Sequence, residues 1–133
     1  MKIGITFSAF DLLHAGHILF LKTCKEKCSK LVVGLHVNPN LERGDKHKPV
    51  QSLLERQIQL EGCKYVNQII PYETEEELEN ILKTFKFDIR FVGSDYRDDK
   101  DLPITGEGLC PIKIISRDHP YSSSELRKRI KKL

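Results

Sequence analysis

The sequence predicts an α/β domain built on a doubly wound, five-stranded parallel sheet, and three observations carry that expectation. Five short apolar runs recur along the chain, several of them unbroken in the manner of strands buried on both faces. Amphipathic stretches of helical length alternate with them. Three of these stretches open on a hydroxyl residue followed three positions later by glutamate, the pairing that satisfies the free N–H groups of a helix start. A β-α-β-α order of this kind implies parallel pairing through helical crossovers.

In chain order, KIGITF at 2–7 is the first strand, a helix is expected over 16–27, and LVVGLHV at 31–37 is the second strand. A helix over 53–63 opens on Ser52 with Glu55, and QII at 68–70 is the third strand. The next helix, 75–85, opens on Thr74 with Glu77 and leads to IRFV at 89–92. IKII at 112–115 is the last strand, and a helix over 123–131 opens on Ser122 with Glu125. No linker, repeat or low-complexity tract interrupts the pattern, so residues 1–133 read as a single domain. At that length roughly two thirds of the unfolded surface is buried, enough for a core without staples.

Composition excludes several classes. Lys plus Arg number 22 against 19 Asp plus Glu, for a net charge of +3, too mild an excess to imply nucleic acid as a partner. MKIGITF is too short an apolar stretch for a secretory leader, and no run approaches the roughly 18 apolar residues of a membrane span. A cytoplasmic protein without a membrane partner is expected. Cys24, Cys28, Cys63 and Cys110 form no C-x-x-C pair and fit no zinc spacing. Reduced, half-buried thiols are the simpler reading, with a metal site at Cys24 and Cys28, one helical turn apart, as the alternative.

In a doubly wound sheet ligands bind beyond the carboxyl ends of the strands, where the strand order reverses, so the first turn is informative. It carries neither G-x-G-x-x-G nor the G-x-x-x-x-G-K-[ST] of a P-loop. FSAFDLLHAGH, residues 7–17, instead places His14 and His17 around Gly16. Gly16 lets another group approach the backbone closely, and the following helix offers free N–H groups and the positive end of its dipole. Together these make an anion pocket; the plainer alternative is that one of the two histidines satisfies a backbone group.

The stretch Ser8-Ala9-Phe10-Asp11-Leu12-Leu13-His14-Ala15-Gly16-His17 resembles the G-T-F-D-L-L-H-x-G-H that opens the cytidylyltransferases of the H-x-G-H nucleotidyltransferase superfamily, and most closely the glycerol-3-phosphate cytidylyltransferases. Lys64-Tyr65-Val66-Asn67-Gln68-Ile69-Ile70 is similar to the family's R-Y-V-D-E-V-I, and Arg117-Asp118-His119-Pro120-Tyr121-Ser122-Ser123-Ser124 to its closing R-T-x-G-I-S-T-T. Class I aminoacyl-tRNA synthetases share H-x-G-H, but this chain is far too short for one. The resemblance covers nearly the whole chain and implies a Rossmann-like nucleotidyltransferase fold.

What the resemblance implies chemically is transfer of a cytidylyl group from CTP to a small phosphorylated alcohol, with release of pyrophosphate. His14 and His17 would donate hydrogen bonds to phosphate oxygens as charge develops, and Lys46, in the long lid-like connection 38–50, would reach the triphosphate. Arg117 would grip phosphate oxygens with its planar fork. Ala9, Phe10, Asp11 and Gly16 belong by resemblance to the nucleotide site, with Asp95 and Tyr96 beside the base. Ser122 and Ser123 would form a second anion-binding element at a helix start, a role compatible with plain capping. Arg56 and Lys64 are expected to contact acceptor or phosphate; for Arg56 a surface pairing with Glu61 is the alternative. The basic tail from Arg127 to Lys132 reads as a solvated helix face. No protein-held metal is implied: Mg2+ would arrive on the triphosphate. Related cytidylyltransferases pair near the H-x-G-H turn, which with the apolar Tyr65-Val66 and Ile69-Ile70 segments points to a homodimer.

The chain also departs from the pattern. Ser8 and Ala9 stand where the family has glycine and threonine, Lys64 and Asn67 replace arginine and aspartate, and Asp118 to Tyr121 replace T-x-G-I. The stretch 97–109 has no counterpart. Two alternatives stay open: an adenylyltransferase on the same scaffold, using ATP on a phosphorylated coenzyme precursor, and, suggested by Ser8 and Ala9, a non-catalytic nucleotide-binding homologue.

Overall fold

The computed structural model describes residues 1–42, 44, 47–97 and 104–133, with Tyr96 and Arg97 described by backbone alone. Strands β1 (Ile3–Ser8), β2 (Lys30–His36), β3 (Gln68–Tyr72), β4 (Ile89–Gly93) and β5 (Ile112–Ile115) alternate with helices α1 (Ala15–Glu26), α2 (Leu53–Glu61), α3 (Glu75–Thr84), α4 (Ser94–Arg97) and α5 (Ser123–Lys131). The five strands form one sheet in the order β3-β2-β1-β4-β5, and every pairing is parallel. This is the expected doubly wound arrangement. Strand order reverses between β1 and β4, so the crevice opens beyond their carboxyl ends. Thr6 Oγ1 donates to the Phe91 carbonyl at 3.0 Å across that seam.

The sheet carries apolar side chains on both faces because both are covered. On one face Leu21 and Cys24 of α1 and Leu60 of α2 pack against Leu31, Val33, Leu35 and Phe91. On the other, Leu78 and Leu82 of α3 close over Ile5, Val32 and Tyr72. Burial of this kind contributes roughly 25 cal/mol per Å2 of apolar surface, the main favourable term for a chain of this size.

Boundaries follow local chemistry. The start and end of α5 and β5 coincide with the sequence expectation, and Ser52 caps α2 in a full capping box with Glu55. Thr74 and Ser122 each accept from the N–H three residues on. Glu77, though, reaches the N–H of Glu73 rather than that of its own cap. β3 runs two residues past its expected end through Pro71 and Tyr72, which an edge strand tolerates because the lost N–H need not serve the ladder. Two short elements escape periodicity: α4, one helical turn, and a 3-10 turn at Pro39–Leu41. All four cysteines are free. Among the described residues no helix is long and apolar enough to cross a membrane.

Candidate active site

The turn after β1 is built under constraint. Phe10 and Leu12 take left-handed backbone conformations, with φ of 47° and 53°, which side chains adopt only when their surroundings compel it. Asp11 supplies much of that compulsion. Its Oδ2 accepts from Val50 N at 2.8 Å and its Oδ1 from Gln51 N at 2.9 Å, while Leu12 N donates to Gln51 Oε1 at 2.8 Å. Arg127 of α5 stands 3.8 Å from the same carboxylate, and Ser123 Oγ donates to the Asp11 carbonyl. The first turn, the entry to α2 and the start of α5 are thereby tied together at one residue.

Helix α1 then starts on an unusual cap. His14 is the N-cap, with its Nδ1 accepting from Gly16 N at 3.0 Å, and His17 Nδ1 accepts from His14 N at 3.2 Å. Two imidazoles thus reproduce the reciprocal bonding of a capping box. An Nδ1 that accepts cannot carry the proton of a neutral ring, so each proton sits on Nε2 and each Nε2–H is left as a donor. The rings stack at 3.8 Å between centroids, and Phe10 meets His17 edge-on at 5.3 Å. Burial pushes the His17 pKa down to about 3, helped by His14 alongside. His14 is lowered as well, by burial first and then by His119 and Arg117. Both rings are neutral donors at neutral pH in the unliganded chain.

Above them lies a cavity of about 810 Å3 at the carboxyl ends of β1, β4 and β5. Gly16 is essential to its shape: a β-carbon there would fall 2.6 Å from His119 Cε1, 2.9 Å from His14 Cε1 and 2.9 Å from the Tyr121 carbonyl. The loop over residues 116–121 therefore sits directly on the helix start. It is braced internally, since Arg117 Nη2 donates to the Tyr121 carbonyl at 2.8 Å and Tyr121 N donates to His119 Nδ1 at 3.2 Å. Arg117 Nη1 also stands 3.8 Å from Asp95 Oδ2, linking this loop to α4.

His14, His17 and Gly16 thus share one cavity with Ala9, Phe10, Asp95, Arg117, Ser122 and Ser123. Ser122 is also the N-cap of α5. Three expectations need correction. Asp11, expected at the nucleotide, has its carboxylate engaged by the backbone at 50–51 and organises the turn instead. Arg56, expected at acceptor or phosphate or else paired with Glu61, is 2% exposed. Its Nη1 donates to the carbonyls of Ala9 and His36, its Nη2 to that of Val37 and its Nε to those of Gln51 and Ser52. Four of its five N–H groups are thus engaged by main-chain carbonyls, which ties this buried fork to the backbone rather than to a ligand. Lys64 precedes β3 at the amino ends of the strands, where Asn67 accepts from Leu31 N, whereas the cavity lies at the carboxyl ends. Its ammonium rests 5.3 Å from the Tyr65 ring centre. Lys46 and the side chain of Tyr96 lie outside the described residues.

Sequence reasoning passes over the far end of the cavity. There Arg90, 4% exposed, lies over Phe7 at 5.0 Å, and His36 stacks on Tyr72 at 4.5 Å. Arg90 and His36 sit inside apolar strands, where composition alone gives them no functional weight. His119 stands out in the sequence only as a departure from a motif. Among the described residues no group of three His, Cys, Asp or Glu is placed to hold a metal ion.

Residues 5–129 match the cytidylyltransferase-like family. The chain is 37% identical over 100 residues to the bifunctional protein HldE of Paramagnetospirillum magneticum, covering 74% of this chain and 20% of that protein. It is 28% identical over 131 residues to the bifunctional protein HldE of Campylobacter jejuni, covering 98% of this chain and 28% of that protein. The chain thus spans less than a third of the length of either relative. Among solved structures, the lipopolysaccharide core biosynthesis protein of Thermoplasma volcanium superposes with a TM-score of 0.70 at 26% identity, covering 92% of this chain and 99% of that one. Pantothenate synthetase of Thermus thermophilus, at 13% identity and a TM-score of 0.63 over 97% of this chain and 64% of that one, shares the fold. With the paired histidines set at the crevice of such a sheet, the chain belongs to the cytidylyltransferase-like family.

Proposed function

We propose that the chain transfers a cytidylyl group from CTP to a small phosphorylated alcohol of about the size of glycerol 3-phosphate, giving a CDP-alcohol and pyrophosphate. The observation that carries the reading is the pair of Nε2–H donors on His14 and His17, fixed by backbone bonds at the start of α1 and lining the cavity. Membership of the cytidylyltransferase-like family supports the cytidylyl group. Likeness to a lipopolysaccharide core biosynthesis protein brings phosphorylated sugars into the class of acceptors.

An oxygen of the acceptor phosphate forms a bond to the α-phosphorus, the bond from that phosphorus to the oxygen bridging to the β-phosphate breaks, and pyrophosphate departs with the electron pair. The second pKa of a phosphate monoester is about 6, so the nucleophile is already ionised and no general base is required. The protein's contribution is positioning and charge stabilisation. His14 and His17 donate to phosphate oxygens as negative charge builds on them. The start of α5, with Ser122 and Ser123, offers hydroxyls and free N–H groups to the same phosphates. Arg117 exchanges its long contact with Asp95 for phosphate oxygens. Mg2+ supplies charge neutralisation as part of the bound triphosphate, with little protein ligation.

The chain acts as a cytoplasmic homodimer in this reading. Leu54 and Ile58, one turn apart on α2, are 66% and 58% exposed, and Val50 beside them is 67% exposed. Pairing through a second copy would cover this apolar strip next to the first turn. Pyrophosphate release measured with CTP and with ATP, each against a panel of phosphorylated alcohols and sugars, tests the reading. CTP-dependent release with one class of acceptor is expected. Release with ATP alone makes the chain an adenylyltransferase, and nucleotide binding without release under any pairing makes it a non-catalytic homologue.

A further inference from the structure

We propose that His119 is a third imidazole donor to the phosphate chain, acting beside His14 at Gly16. The inference rests on the anion-binding reading of the site and extends it to a residue outside the H-x-G-H turn. Three observations carry it. His119 is tethered as the other two histidines are, with its Nδ1 accepting a backbone N–H, here that of Tyr121 at 3.2 Å. In a neutral ring this again leaves the proton on Nε2. The Cε1 atoms of His119 and His14, each bonded to its Nε2, both lie within 3 Å of one point, the place a β-carbon on Gly16 would take. Finally, His119 lines the cavity from the loop that joins β5 to the start of α5, so it stands between the two elements expected to receive phosphates.

The loop is built to hold that ring in place. Tyr121 stacks on it at 5.6 Å with 19° between the planes, Arg117 Nη2 closes the loop on the Tyr121 carbonyl, and Ser116 Oγ donates to Asp118 Oδ2 at 3.3 Å. After burial, a charge on His119 also contributes to lowering the pKa values of His14 and His17, as expected of a group that shares their space. A donor held in place before the ligand arrives needs no reorganisation when charge develops. His119 is thus placed to touch the departing phosphates.

The test titrates inorganic pyrophosphate into the wild-type chain and into His14→Ala, His119→Ala and His119→Gln by calorimetry. It also follows the side-chain 15N signals of the histidines by NMR. The expected result is binding roughly ten- to a hundredfold weaker in His119→Ala, most of it recovered in His119→Gln, whose amide restores an N–H donor of similar reach. The His119 Nε2 signal of the wild type should move on addition of pyrophosphate. Wild-type affinity in His119→Ala, an unmoved His119 signal, or equal weakness in the Ala and Gln variants would overturn the proposal. If His14→Ala is weakened while His119→Ala is not, the proposal alone fails. If the wild type binds no pyrophosphate, the anion-binding reading fails and the proposal with it.

Discussion

His14 and His17 stack at 3.8 Å with each Nδ1 taken by a main-chain N–H, so that capping a helix and presenting two donors are one and the same arrangement. The two roles separate by substitution. His14→Asn keeps an N-cap of comparable strength but loses the ring donor, so it should fold with nearly native stability while turnover falls by about a hundredfold or more. His14→Ala should lose the same activity and, in addition, about 1 kcal/mol of stability. Thermal melts set beside pyrophosphate-release rates check this, and an Asn variant with native turnover would make His14 a cap alone.

Acid should destabilise the fold through His17. Its folded pKa is about 3, below the ordinary 6.5, so the unfolded chain takes up a proton that the folded chain refuses. The stability this confers is complete above pH 6.5 and is lost as the pH falls from there towards 3, by up to about 1.4 kcal/mol per pH unit. His17→Gln retains the reciprocal bond to the cap but has nothing to titrate, so its urea midpoint should fall less steeply across that window. Parallel curves for the two proteins would refute the assignment.

Gly16→Ala should damage the site from within. The added methyl meets a backbone carbonyl at Tyr121 as well as the rings of His14 and His119, so the 116–121 loop must lift. A cost of about 1–3 kcal/mol in stability is expected, together with a KM for the nucleotide raised by tenfold or more. An alanine variant with native kinetics would show that the loop does not rest on the helix start during catalysis.

Arg56→Lys addresses the residue whose place differs most from expectation. Lysine keeps the charge but cannot reach carbonyls in three directions, so stability should drop by roughly 2–4 kcal/mol while the nucleotide KM of the folded protein stays put. A native melting temperature with a raised KM would return Arg56 to the phosphates.

The contrast between Arg56 and His14 shows how far the sequence is legible. Strands and long helices announce themselves through periodicity and capping pairs, as at Ser52 with Glu55, and the H-x-G-H turn is recognisable because all its parts are local. Arg56 is different because its partners at Ala9, His36 and Val37 come from other parts of the chain, and main-chain carbonyls leave no trace in a sequence. Asp11 escapes sequence reasoning for the same reason, being bonded to N–H groups about 40 residues away. Lys64 escapes it because motif similarity says nothing of which end of the sheet a residue occupies. Helix α4 is a single turn, too short to show a period. His119 is within reach: a histidine three residues ahead of the serine that opens the last helix stands close to the expected anion site.

Nucleotidyl transfer at the paired histidines is the central claim, and 31P NMR of one reaction mixture tests it most directly. With CTP, Mg2+ and the acceptor selected by the panel, the wild type should replace the triphosphate signals with those of pyrophosphate and of a new diphosphate diester, in equal amounts. His17→Ala, which keeps the His14 cap on α1 but has no side-chain donor, should form both about a hundredfold more slowly or less. Triphosphate left intact by the wild type with every acceptor, or products formed by His17→Ala at the wild-type rate, would contradict the claim.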